Sequence, residues 1–243
     1  MPREVSFTVG KDRLKGTLFD PRLSKPKNPA ILFIHGWTSN RGRYQKLAQK
    51  LSDLGYVVLT FDMRGHGNSD GNIELQTRND FIDDVIASYD FLSQQEGVDP
   101  RKISVVGSSL GSYLAAVLAG KRRTYTLVLR APANYPNEGF EKPQYKHSND
   151  VEILKWRYKV SNPNDTISLR ALNDFNGEVL IVESGNDEVI PPQTVKNYIN
   201  AVKDKKKVHH IVMPGAPHSL SESPKYDRQY QDIICNWFRT QYN

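Results

Sequence analysis

The sequence predicts an α/β fold: a mainly parallel central sheet with helices on both faces and a small cap. Three observations predict it. A continuous apolar run at residues 30–34 and short, mainly apolar runs at 56–61, 103–106, 126–129 and 179–182 read as buried strands. Segments with helical spacing lie between them. The connections between successive runs are long enough for the right-handed crossovers that parallel neighbours require.

The chain begins differently. Val5, Phe7 and Val9 alternate with polar residues, and Leu14, Thr17 and Phe19 do so less strictly. These two runs predict an antiparallel hairpin around Gly10-Lys11-Asp12. A proline-rich connection follows, with Pro21, Pro26 and Pro29. After the first buried run, Tyr44, Leu47, Leu51 and Leu54 keep helical spacing until Gly55 stops the helix. Thr77 and Asp80 have the spacing of a cap for a helix carrying Phe81, Val85, Tyr89 and Leu92. A helix rich in small residues continues through Leu114–Leu118, and Val208–Met213 supplies a further strand. The last helix carries Tyr230, Ile233, Ile234, Trp237 and Phe238. Residues 131–177 break the rhythm, being longer than a crossover needs. Val151, Leu154 and Tyr158 keep helical spacing there, which predicts a cap inserted in a single domain spanning 1–243.

Composition narrows the class. A chain of 243 residues with 38% hydrophobic residues suits one large globular domain. The formal charge of +6 is modest, and no nucleic-acid partner is expected from it. The densest basic run, Lys203 with Lys205, Lys206 and Lys207, is interrupted by Asp204 and reads as a solvated turn. Cys235 is the single cysteine, so no internal disulfide can form. The first residues have no apolar core of a secretory signal, and no apolar stretch approaches the ~20 residues of a membrane span. A soluble cytoplasmic protein with no membrane partner is the expectation. No glycine-rich phosphate fingerprint and no clustered ligands occur, so neither a cofactor nor a metal is expected. His209 and His210 are neighbours on a strand and point to opposite faces.

The chemistry is carried by residues just after strands, where ligands bind in such sheets. Gly107-Ser108-Ser109-Leu110-Gly111 follows a β-branched run and opens a helix. A tight strand-to-helix turn there lifts the Ser109 hydroxyl above the sheet, and the flanking glycines leave room for the close approach. The Leu110 amide, at the helix N-terminus, faces the same space and can stabilise an oxyanion. A serine needs a base. His218, in Pro214-Gly215-Ala216-Pro217-His218, follows the strand ending at Met213. The imidazole needs an orienting carboxylate. Asp187 follows the Gly185-Asn186 turn, with Glu188 as nearby rival and Glu183 closer to its strand. Serine, acid and histidine thus stand in that order after three different strands. A fourth strand end, His35-Gly36-Trp37, offers the Trp37 amide as second oxyanion donor. His35 and His66 read as structural. Asp62, Arg64, His66, Asn68 and Asp70 read as a loop held by its own hydrogen bonds rather than a metal site.

With these motifs in place, the chain resembles the bacterial α/β-hydrolase superfamily across nearly its full length. The resemblance rests on residues 35–41, 61–71, 107–111 and 185–191, and on Pro217-His218-Ser219. Within the superfamily it looks like the small esterases that include cinnamoyl (feruloyl) esterases and serine peptidase-like hydrolases. The resemblance implies a Ser109–Asp187–His218 catalytic triad with Trp37 and Leu110 amides as oxyanion hole. Two departures stand out. His218 follows a proline where an acidic or small residue is common, and Ser108 occupies a position where histidine is frequent. Serine at the nucleophile position argues against dehalogenase and epoxide hydrolase chemistry. The expected activity is that of a serine carboxylesterase, cutting small-molecule esters of short to medium or small aromatic acyl groups through an acyl-enzyme. A serine peptidase or thioesterase on the same triad, or a non-catalytic hydrolase-like binding protein, are the alternatives. Some of the cap aromatics Tyr135, Phe140, Tyr145, Trp156, Tyr158 and Phe175 are expected to line the pocket mouth.

Overall fold

The computed structural model describes residues 2–21, 26–148 and 150–241. Residues 22–25 of the proline-rich connection lie outside them. Strands β1 (Pro2–Val9) and β2 (Asp12–Phe19) pair antiparallel with Val9 opposite Asp12. The turn is therefore Gly10-Lys11, and Gly10 has φ +58°, which glycine adopts without a Cβ clash.

The alternating part follows: β3 (Asn28–Ile34), α1 (Gln45–Asp53), β4 (Val57–Phe61), α2 (Arg78–Ser93), β5 (Val98–Ser108), α3 (Leu110–Ala119) and β6 (Thr126–Arg130). Three short helices come next, α4 (Gln144–Ser148), α5 (Val151–Trp156) and α6 (Ile167–Asp174). The chain ends with β7 (Glu178–Ser184), α7 (Pro192–Ala201), β8 (Val208–Met213) and α8 (Pro224–Gln241). The sheet order is β1-β2-β4-β3-β5-β6-β7-β8. Strands β3 to β8 run parallel, and β2 joins β4 antiparallel. The chain leaves β3 for β4 on one side and later returns to β5 on the other. Loops leaving β3 and β5 therefore diverge, opening a crevice at the carboxyl edge.

Strand periodicity divides the core in two. Leu32, Ile34 and Val105 pack with α2, α3, α6 and α7 on one face, through Phe81, Leu114, Leu172 and Tyr198 among others. Ile31, Phe33 and Val106 pack on the opposite face with Leu47 and Leu51 of α1 and Ile234 and Phe238 of α8. The runs are apolar without alternation because both faces are covered. Helix α2 starts where the sequence indicates: the Asp80 amide donates to the Thr77 hydroxyl, and the Asp80 carboxylate accepts from the Thr77 amide at 2.8 Å.

Residues 131–177 differ in detail from their periodicity. Helix α5 ends at Trp156, before Tyr158, and Val151, Leu154 and Tyr158 are exposed while Ile153 is the buried anchor. The segment is fastened by polar clamps instead. The buried Arg78 guanidinium lies over the Phe140 ring at 4.5 Å and donates to the carbonyls of Pro136 and Glu138. From α7, the Tyr198 hydroxyl donates to Ala133 O at 2.7 Å and Thr194 to Arg157 O at 2.9 Å. Helices α6 and α7 are crossovers the sequence reading did not single out, although Thr166 caps α6 and a proline opens α7. Among the described residues, no helix is long and apolar enough to cross a membrane.

Candidate active site

Ser109 sits between β5 and α3 with φ 55° and ψ −117°, a strained conformation for a residue with a Cβ. Its neighbours explain how the turn closes. A Cβ on Gly107 would stand 2.2 Å from Gly111 O, and one on Gly111 would stand 2.2 Å from Ile34 O. Only glycine permits the helix start to press this close to β3 and β5. The Ser109 amide donates to Arg130 O at 2.9 Å, which fixes the turn to the end of β6.

The His218 loop reaches the same point. Strands β7 and β8 are parallel neighbours, so their following loops lie side by side. They are joined by Gly185 N to Met213 O and Asn186 N to Ala216 O, each 2.9 Å. His218 Nε2 lies 3.1 Å from Ser109 Oγ, and its Nδ1 lies 3.0 and 2.9 Å from the two Asp187 oxygens. An ionised carboxylate only accepts, so Nδ1 carries the hydrogen and Nε2 is left to accept from the serine hydroxyl. Asp187 is itself held: its Oδ1 accepts from the amides of Val189 at 2.9 Å and Ile190 at 2.7 Å. The rival acids face elsewhere. Glu188 accepts from the His218 backbone amide at 3.2 Å, and Glu183 faces His210 Nε2 at 2.7 Å.

Leu110 is the first residue of α3, so its amide has no partner within the helix. Gly36 brings the loop after β3 against the Ser109 turn: a Cβ there would meet Ser108 O at 3.1 Å. Trp37 follows it at the rim, its ring edge-on to His66 at 5.4 Å and to Phe81 at 6.0 Å.

Beside Ser109 opens a cavity of about 340 Å³. Its walls come from the loop after β3, from Arg43, Tyr44 and Leu47 near α1, from the His218 loop, and from Asp227, Tyr230 and Gln231 of α8. Among the described residues, none of 131–177 lines it, so the cap aromatics do not form its mouth. Tyr135 and Phe140 turn inward instead, Tyr135 edge-on to Tyr113 at 5.0 Å.

Arg130 was not among the residues singled out from the sequence. Its guanidinium is buried and donates to Ser108 Oγ and Ser184 Oγ at 3.0 Å and to the carbonyls of Pro217 and His218. One side chain thus links the residue before Ser109, the end of β7 and the His218 backbone. A charged residue ending the apolar run Leu127-Val128-Leu129 was the available signal.

His35 and the 62–70 loop frame the site. Asp62 accepts from the amides of Arg41 at 2.7 Å and Asn68 at 3.1 Å, and Arg64 pairs with Asp84 at 2.6 Å. Among the described residues, no group of His, Cys, Asp or Glu side chains is arranged to hold a metal. His35 is fully buried; its Nδ1–H donates to Gly36 O at 2.8 Å and its Nε2 accepts from the Met63 amide at 3.0 Å. Burial, with the His66 ring beside it, pushes its pKa down to about 3. The unfolded chain takes up a proton near the ordinary value of about 6.5, whereas the folded chain does not until far lower pH. Stability is therefore expected to fall as pH drops from about 6.5 toward 3, by about 1.4 kcal/mol per unit from this residue. Thermal melts at successive pH values check this. His35→Gln should weaken the dependence, and an unchanged slope in that variant would remove His35 as its source.

The sheet order, the helices on both faces and the serine–histidine–carboxylate cluster at the carboxyl edge define an α/β-hydrolase. The family profile described as Serine aminopeptidase, S33 matches residues 25–170, and the chain belongs to that family. It is 30% identical over 210 residues to the uncharacterized protein Rv2307c of Mycobacterium tuberculosis, covering 86% of this chain and 69% of that one. It is 28% identical over 205 residues to the lysophosphatidylserine lipase ABHD12 of Danio rerio, covering 80% of this chain and 52% of that one. Among solved structures, Est1E from Butyrivibrio proteoclasticus with ferulic acid bound superposes with a TM-score of 0.75 at 18% identity, covering 98% of each chain.

Proposed function

We propose that this hydrolase is a serine carboxylesterase that cuts esters of short to medium or small aromatic acyl groups through an acyl-enzyme. The observation that carries the reading is the continuous relay from Ser109 Oγ through the His218 ring to Asp187, with contacts of 3.1 Å and 2.9 Å. In this reading His218 Nε2 takes the Ser109 proton as Oγ attacks the carbonyl carbon. The Trp37 and Leu110 amides stabilise the oxyanion, and the imidazolium then protonates the departing alkoxide. Water, activated by the same histidine, releases the acid. Asp187 holds the imidazole in the productive tautomer. Residues 131–177 serve as a small cap that starts beside Ser109, where the Ala133 amide donates to Ser109 O at 3.2 Å, without lining the cavity. The lipase among the relatives and the aromatic acid in the Est1E structure are both compatible with ester chemistry. The family's description favours aminopeptidase activity as the second reading.

The test is a series of 4-nitrophenyl esters from acetate to palmitate, run beside aminoacyl 4-nitroanilides. Each buried methylene contributes about 0.8 kcal/mol only while the pocket covers it. A cavity of about 340 Å³ lies near the small end of ligand pockets. kcat/KM is expected to rise over the first few acyl carbons and then fall. A maximum at palmitate contradicts the short-chain reading, and faster anilide cleavage transfers the assignment to a peptidase.

A further inference from the structure

We propose that the cavity beside Ser109 receives an ester that also carries an anionic group, a carboxylate or a phosphate. The inference rests on the serine-hydrolase reading and adds a substrate class to it. Two arginines line this cavity, Arg43 at its rim and Arg130 at its floor. Several arginines outside the cavity pair with acids. Arg41 pairs with Glu4 at 2.7 Å, Arg64 with Asp84 at 2.6 Å, and Arg122 with Asp90 at 2.7 Å. Arg43 and Arg130 have no such pair among the described residues.

Arg130 is the more telling of the two. It is 5% exposed, its hydrogen-bond partners are two serine hydroxyls and two backbone carbonyls, and its Nε has no partner. A guanidinium keeps its charge in a protein, and a buried charge with no acid in contact is unfavourable. Arg78 and Arg157 are buried without an acid too, each against the Tyr135 ring, but both lie outside the cavity, whereas Arg130, over the Tyr230 ring at 5.8 Å, lines it. The remaining polar lining is rich in hydroxyls, from Ser39, Ser108, Ser219 and Ser221, which can donate to an anion. The opposing charge in the lining is Asp227, whose Oδ2 already accepts from Gln231 Nε2 at 2.7 Å. The Asp187 carboxylate also attracts Arg130, but it is not in contact with it and is engaged by the His218 ring and the amides of Val189 and Ile190. Two cations lining the cavity, facing carboxylates that are already engaged, favour a substrate that brings a further negative charge.

Matched ester pairs test this, and they separate the two sides of the scissile bond. On the alcohol side, butyrates of 3-hydroxybenzoate and of 3-hydroxyphenyl phosphate are compared with the butyrate of 3-hydroxybenzamide. On the acyl side, mono-4-nitrophenyl adipate is compared with its terminal amide. The expected result is at least a tenfold higher kcat/KM for the anionic member of one pair, about 1.4 kcal/mol. The ratio should fall at least threefold in Arg43→Gln and persist in Arg43→Lys. It should also persist in Lys121→Gln, which alters an exposed charge outside the cavity lining. No preference in any pair overturns the proposal, as does a preference untouched by Arg43→Gln or lost equally in Lys121→Gln. Calorimetric binding of the same esters to Ser109→Ala decides the matter independently of turnover. Fluorophosphonate labelling of Ser109 reports on the hydrolase reading alone. Labelling without anion preference sinks only this inference, and anion-selective binding without labelling sinks only that reading.

Discussion

Ser109→Ala is expected to abolish ester turnover and fluorophosphonate labelling while the chain still folds and melts near the parent temperature. Alanine keeps the Cβ, so the backbone at φ 55° carries the same strain with or without the hydroxyl. The lost Oγ faces the cavity, where it contacts His218 Nε2, and no packing depends on it. On the proposed mechanism, His218→Ala removes the base that this hydroxyl needs. In a serine triad either loss lowers kcat by about 10⁶-fold. Burst kinetics with a 4-nitrophenyl ester, and a circular-dichroism melt of each variant, separate loss of chemistry from loss of fold. Turnover of His218→Ala within tenfold of the parent would remove histidine from the role of base.

Asp187→Asn is expected to lower kcat by about 10⁴-fold, far more than Glu188→Gln or Glu183→Gln. The reason is the tautomer. An asparagine amide turned toward Nδ1 donates, which leaves the hydrogen on Nε2, where it can no longer accept from Ser109. The neighbouring acids have other duties. Glutamine at 188 still offers an oxygen to the His218 amide, and glutamine at 183 alters a contact to His210 on the outer strand β8. The ranking of the three kcat values is the measurement. A larger loss at Glu188 or Glu183 would reassign the acid.

Much of the fold was legible because it rests on local patterns. Doubly buried strands read as unbroken apolar runs, and the Thr77–Asp80 spacing placed the start of α2. The turn at Ser109 was legible because its glycines are required sterically: a Cβ on Gly107 or Gly111 would stand 2.2 Å from a backbone oxygen. What escaped depends on distant partners. Helix α5 is amphipathic on paper through Val151, Leu154 and Tyr158, yet it is anchored through Ile153, because α7 and Arg78 hold the segment by hydrogen bonds that no periodicity records. Helix α7 left a fainter trace, with Val195 and Tyr198 three apart after a proline. Arg130 ends an apolar run as an ordinary surface arginine would. Its importance lies in acceptors 54 to 88 residues away. The cavity walls were misplaced for the same reason. The pairing of α1 with α8 across one sheet face, not the chain order, decides where the recess opens.

Among the described residues, three non-glycine residues have positive φ, Thr38, Ser109 and Ala131, and each follows a different strand at the same edge of the sheet. Each such residue is unfavourable by about 1–3 kcal/mol. A search for a sturdier version of this chain would therefore turn first to these positions, since glycine relieves the strain at all three. At 109 that remedy deletes the hydroxyl proposed to react, and at 38 it loosens the loop that carries Trp37. Durability and chemistry are thus antagonists along this rim, and engineering for heat tolerance belongs elsewhere. The exposed side of α5, with Val151 and Leu154 bared to water and no contact with the cavity, is where substitutions can be made freely.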